Sequence, residues 1–63
     1  MSRESLIDGM ALGFRSSGPQ MRGYYLAHFD EKDVHDMLKL LGIKKQHMDG
    51  AMALVELIRR PIN

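Results

Sequence analysis

The stretch that decides the fold is DEKDVHDMLKLLG, residues 30–42. Asp30 can accept hydrogen bonds from the free N–H groups at a helix start, and the acids after it complement the positive end of the helix dipole. Four apolar residues then recur at helical spacing and form one stripe: Val34, Met37, Leu38 and Leu41. Gly42 supplies the left-handed backbone conformation that commonly ends a helix. The pattern predicts an amphipathic helix over residues 31–41.

A further helix is predicted after this turn, between Lys45 and Arg60. Met48, Ala51, Met52, Val55 and Ile58 form its apolar stripe, the two arginines at 59 and 60 suit the negative end of the helix dipole, and Pro61 marks its end. The two helices would form a C-terminal antiparallel helical hairpin around Gly42. The expected core consists of Val34, Met37, Leu38, Leu41, Ile43, Met48, Met52, Val55 and Ile58.

The N-terminal half contains a weaker helical signal. Ile7, Met10, Ala11 and Phe14 follow the i, i+3, i+4, i+7 spacing, which predicts a helix over about residues 3–14. Gly18 and Pro19 mark a loop after it. Residues 21–29 are rich in aromatic side chains, which favours an extended or packed connector, although a short helix over residues 24–28 also fits. Together these patterns predict an all-α fold of three short helices with an aromatic connector between the first two. The helices would form one small domain over residues 1–63.

The composition excludes several classes of protein. The 63 residues include no cysteine, which rules out disulfides, cysteine-bound zinc and a thiolate nucleophile. No stretch approaches the roughly 20 apolar residues of a transmembrane helix, and the N-terminus lacks the apolar segment of a signal peptide. The formal net charge of +1 is far from that of a strongly basic nucleic-acid binder. We therefore expect a cytoplasmic protein that does not enter membranes.

No pattern in the sequence indicates catalysis. The three histidines lack metal-ligand spacing, and no serine stands in a Gly-x-Ser-x-Gly context. His35 could pair with Asp33 or Asp36 as a base with its orienting acid, but a surface histidine is the simpler interpretation. We predict no catalytic residue, no metal ligand, no cofactor and no small-molecule substrate, and thus a protein that is not an enzyme.

The last predicted helix has an apolar face wider than one neighbouring helix would cover. Because so short a chain has few elements to cover this face, we expect it to be shared between two subunits. A groove for a foreign helix is the alternative. The predicted interface consists of Met48, Met52, Leu54, Val55, Leu57 and Ile58. The function predicted is a small non-enzymatic regulatory or adaptor protein that acts by protein–protein contact as a homodimer, with an unknown protein partner. Its size is common among accessory proteins of bacteriophages and other mobile elements.

A basic segment after Gly42 supports an alternative function. Residues 41–48 resemble the turn of a helix-turn-helix, whose second helix would present Lys44, Lys45, Gln46 and His47 to a DNA groove. Leu38 stands where that motif normally has Ala or Gly. The same segment is similar to the closing part of a sterile-alpha-motif domain, a helical interaction module. In the simplest interpretation, the lysines only neutralise the end of the preceding helix.

Overall fold

The computed structural model describes residues 2–60, and every regular element in that range is a helix. The helices are α1 (Arg3–Ser16), α2 (Pro19–His28), α3 (Glu31–Leu40) and α4 (Lys45–Arg59). The predicted all-α class is confirmed. The helices predicted over residues 3–14, 31–41 and 45–60 correspond to α1, α3 and α4, with small differences at their ends.

The turn between α3 and α4 forms as the sequence predicts. Gly42 has a φ of 103°, in the left-handed region that favours glycine. The N–H of Gly42 donates to the carbonyl of Lys39 at 3.1 Å, and the N–H of Ile43 donates to that of Leu38 at 3.1 Å. This pair of bonds is the Schellman arrangement, which satisfies the last carbonyls of α3. At the other end of α3, Asp30 accepts a hydrogen bond from the N–H of Lys32 at 2.9 Å.

The segment between the first two helices is itself a helix, α2, so the extended connector is wrong and the alternative of a short helix is correct, although α2 begins at Pro19 rather than at residue 24. Pro19 occupies the first turn of α2, where its fixed φ favours a helix and its missing N–H costs nothing. The rings of Tyr25 and Phe29, four residues apart, stack with their centroids 5.0 Å apart. This i, i+4 pairing and the packing of α2 against its neighbours override the preference of aromatic residues for extended structure.

The antiparallel hairpin expected of α3 and α4 is not confirmed, because each of these helices packs mainly against another one. α3 packs mainly against α1 and α4 mainly against α2, whereas the contact between α3 and α4 is smaller. The buried core draws on three helices and contains three methionines: Ile7, Met10, Ala11, Val34, Met37, Leu38, Met48 and Val55. The expected core omitted the three residues of α1. It wrongly included Ile58, which is 49% exposed, while Leu41, Ile43 and Met52 are only partly buried.

Two arginines join α1 to its neighbouring helices through side-chain hydrogen bonds. The guanidinium of Arg3 donates to Asp33 and to Asp36 on α3, each at 2.7 Å. Arg22 on α2 donates through Nε to the carbonyl of Phe14 at 2.9 Å, and it also lies 5.5 Å from the centre of the Phe14 ring. The Arg22 bond satisfies a carbonyl at the end of α1 and joins that end to α2, and the Arg3 bonds join the start of α1 to α3.

A third arginine joins α4 to α2. Arg59 donates from one guanidinium nitrogen to the carbonyl of Leu26 at 2.9 Å and to that of Phe29. Both carbonyls belong to the C-terminal end of α2, which leaves its last carbonyls without partners inside the helix. The Arg59 side chain therefore caps the C-terminal end of α2 and holds α4 against it.

Two glycines of α1 differ in their surroundings, and this difference predicts opposite effects of alanine. A Cβ at Gly13 would meet the hydroxyl of Tyr25, whose ring is held between Phe14 and Phe29, whereas a Cβ at Gly9 would meet nothing within 4 Å. Overpacking costs about 1–3 kcal/mol and outweighs the helix preference of alanine, about 1 kcal/mol. We expect G13A to lower the free energy of unfolding by about 1 kcal/mol and G9A to raise it by about 0.5–1 kcal/mol. Urea titration followed by circular dichroism measures both, and stabilisation by G13A would contradict the packing at Gly13.

Candidate functional site

Helix α4 carries a second apolar face besides the one that enters the core. At 100° per residue, this second face lies on the far side of the helix from Met48 and Val55. Its large side chains are 62%, 56% and 49% exposed at Leu54, Leu57 and Ile58. We call this surface the outer face of α4, and its members are Gly50, Ala53, Leu54, Leu57 and Ile58. All five are exposed, and none is charged.

The structure divides the six residues of the predicted interface into two groups. Met48 and Val55 are buried in the chain's own core, and Met52 is partly buried against it. Leu54, Leu57 and Ile58 remain on the outer face. The sequence prediction missed Gly50 and Ala53, although their helical spacing from Leu54 and Leu57 was a signal that could have placed them on the same face.

Helix α2, the main packing partner of α4, also exposes apolar side chains. Met21 and Tyr24 are each about half exposed, and they stand three residues apart on one side of α2. The ring of Tyr24 lies 4.4 Å, centre to centre, from that of His28 one turn later. The pair of helices α2 and α4 therefore presents apolar surface on both of its members.

The four residues predicted to contact nucleic acid lie together at the start of α4. Lys44 is the N-cap residue, and Lys45, Gln46 and His47 form the first turn; all four are exposed. No side chain caps this helix end, and its first turn contains no acid. The sequence from residue 37 to residue 48 holds three lysines and no acidic residue. This end of α4 is therefore a region of positive potential.

A depression of about 300 Å³ lies between α3 and the start of α4. Its lining residues are His35, Lys39, Ile43, Lys45 and Met48. The sequence groups Lys39 with Lys45 as neighbouring basic residues but does not group His35 with them, because only the turn at Gly42 brings α3 beside the start of α4. The lining of the depression combines basic side chains with apolar ones.

Asp36, which follows His35 in the sequence, is engaged by two partners. Asp36 Oδ1 lies 3.1 Å from His35 Nδ1, and Asp36 Oδ2 accepts a hydrogen bond from Arg3. The hydrogen bonds with His35 and with Arg3 hold the pKa of the Asp36 carboxyl below its usual value. Its negative charge is therefore retained over the physiological range.

Residues 2–60 hold no group of three or more histidine, aspartate or glutamate side chains placed to bind a metal ion. Within the same range, none of the four helices has both the length and the apolar character needed to cross a bilayer.

Comparison of the chain with protein-family models, with curated proteins and with solved structures found no match. The resemblances of residues 41–48 to a helix-turn-helix and to a sterile-alpha-motif domain gain no support from these comparisons. A proposal of function therefore depends on three surfaces: the outer face of α4, the basic start of α4, and the depression between α3 and α4.

Proposed function

We propose that the chain is a non-enzymatic interaction module that acts by protein–protein contact, as a homodimer through the outer face of α4. The observation that carries this proposal is the exposure of Leu54, Leu57 and Ile58 on a face without charge. Burying a leucine completely is worth about 1.5–3 kcal/mol, so covering three half-exposed side chains gains roughly half of that for each. An uncharged apolar helix face is typical of an interface.

The composition of the outer face suits pairing with a second copy. It holds small residues, Gly50 and Ala53, next to large ones, Leu54 and Leu57. When the same face of two copies meets across a two-fold axis, the leucines of one helix can lie against the small residues of the other. This complementarity allows close approach of two α4 helices without a cavity.

The size of a stable interface indicates that α4 does not act alone. A standard interface buries about 800 Å² on each partner, roughly one sixth of the 4936 Å² accessible surface of the chain. Helix α4 is only about 22 Å long. We expect Met21 and Tyr24 of the neighbouring α2 to contribute the remaining apolar area.

Leu57→Glu tests the proposal, with Leu12→Glu as its matched control. Leu12 on α1 is 65% exposed, so the same substitution changes a similarly exposed leucine on another helix. Sedimentation equilibrium over a range of concentrations is expected to show a dimer for the wild type and for L12E, and a folded monomer for L57E. A wild type that is folded and monomeric at every concentration would contradict the proposal, as would equal effects of the two substitutions.

DNA binding is the second candidate function, and the exposure of Lys44, Lys45, Gln46 and His47 on one helix end favours it. It ranks second because a recognition helix needs polar side chains along its exposed side, and beyond the first turn the outer face of α4 is apolar. Fluorescence anisotropy with a DNA duplex at low salt tests it. Salt-sensitive binding that the double substitution K44E and K45E abolishes would support this function, because phosphate contacts release counterions. Absence of binding at low salt would exclude DNA binding as the function.

A further inference from the structure

We propose that the depression between α3 and α4 binds an acidic side chain of a protein partner. The site consists of His35, Lys39 and Lys45 around an apolar lining of Ile43 and Met48. It shares no residue with the outer face of α4, so it extends the proposed function to a second contact surface. The proposal rests on the charge, the lining and the size of the depression.

The depression is lined by two lysines, and none of its five lining residues is acidic. Lys39 and Lys45 contribute two ammonium groups, and the ion pairs within residues 2–60 involve Arg3 and His35 but neither of these lysines. Asp36, next to His35, has both carboxylate oxygens engaged by Arg3 and His35. Lys39 also borders a groove that contains Glu4 and Asp8, which makes Lys45 the better probe of the site.

The lining of the depression favours a carboxylate next to an apolar group. Met48 is buried and Ile43 is partly buried, so these two side chains offer apolar contact beside the two lysines. A ligand that places an apolar group against Ile43 and Met48 and a carboxylate near the lysines would satisfy both parts at once. Aspartate or glutamate beside an apolar residue has this chemistry.

The size and charge of the site argue against an extended polyanion. A volume of about 300 Å³ accommodates one side chain and its neighbour, whereas nucleic-acid binding requires a basic surface that follows many phosphates. The net charge of the whole chain is only +1. An acidic segment of a protein therefore fits the site better than a nucleic-acid backbone.

A peptide titration tests the site directly. The probe is N-acetyl-leucyl-aspartyl-leucinamide, compared with its asparagine counterpart, in ¹H–¹⁵N correlation spectra of the full chain. Saturable shifts are expected for amides of residues 35–48, with about 3- to 10-fold tighter binding of the aspartate peptide. Lys45→Gln is expected to weaken that binding about 2- to 5-fold. Lys32→Gln removes the same charge from an exposed lysine outside the depression and should leave the affinity unchanged.

Several results would overturn the inference. Equal binding of both peptides, equal loss of affinity in K45Q and K32Q, or no saturable shift would each exclude a carboxylate site in the depression. A DNA duplex that displaces the peptide and binds more tightly would identify nucleic acid as the ligand instead. The L57E variant should bind the peptide as the wild type does, so failure of this site and failure of the homodimer are distinguishable.

Discussion

Met37→Asp is expected to leave the chain unfolded at 25 °C. The Met37 side chain is 0% exposed, so the new carboxylate would be buried without a partner. Burying an unpaired charge costs several kcal/mol. A domain of this length has a total stability of roughly 3–9 kcal/mol, at about 0.05–0.15 kcal/mol per residue. The substitution therefore removes most or all of the folding free energy.

The matched control is Leu12→Asp, at a leucine that is 65% exposed on α1 and lies outside the proposed interface. Because an exposed aspartate costs little beyond its lower helix preference, this variant is expected to change the unfolding free energy by less than about 1 kcal/mol. Circular dichroism with urea titration measures both variants. A cooperative unfolding transition of M37D at the wild-type urea concentration would show that Met37 does not lie in the core.

Arg59→Ala has the second-largest expected effect, a loss of about 2–3 kcal/mol of unfolding free energy. The substitution removes the two charge-assisted hydrogen bonds that hold α4 to the end of α2. It also leaves the partly buried carbonyls of Leu26 and Phe29 without this donor, and an unsatisfied buried carbonyl costs more than the net value of its hydrogen bond. Urea titration of the purified variant measures the loss.

Arg60→Ala provides the control for this second prediction. Arg60 is the next residue, is exposed and carries the same charge, and its side chain makes no hydrogen bond within residues 2–60. We expect R60A to change the unfolding free energy by less than about 0.5 kcal/mol. If the two variants are equally stable, the bonds from Arg59 to α2 do not contribute to the fold.

The elements that the sequence predicts correctly are those with several local signals in agreement. α3 has a capping aspartate, a regular apolar stripe and a C-terminal glycine, and the observed helix, Glu31–Leu40, ends one residue before the predicted one. The left-handed conformation of Gly42 was likewise predictable, because a Schellman turn has a local hydrogen-bond pattern. Such features depend on neighbours in the sequence and need no knowledge of tertiary contacts.

The features that could not be predicted depend on contacts between distant segments. α2 has no buried residue of its own, and its aromatic residues fit either an extended segment or a helix. The contacts that favour the helix are the stacking of Tyr25 on Phe29 and the packing of Tyr25 against Phe14 of α1. The choice of packing partners is also non-local, since α3 lies mainly against α1 rather than α4. The prediction for Ile58 failed for the same reason: the helices available inside the chain cover only one side of α4.

The candidate site was predictable only in part. The excess width of the apolar face of α4 was visible in the sequence, and Leu54 and Leu57 were correctly placed outside the stripe that one neighbouring helix covers. Which residues of that wide face enter the core depends on the rotation of α4 against α2, and the sequence does not specify this angle. The depression lined by His35 and Lys45 requires the same tertiary information.

Oxidation of the methionines in the core can report how often the helices separate. Met10 and Met48 are almost completely enclosed and Met37 fully so, whereas Met21 is half exposed. Peroxide converts a thioether to a polar sulfoxide only where it can reach the sulfur. Among these four methionines, sulfoxide formation should therefore begin at Met21, and the delay before the three enclosed sulfurs react would measure how often the helices separate. Once they had reacted, the polar sulfoxides would no longer pack in an apolar interior, so oxidative damage would make each such opening difficult to reverse.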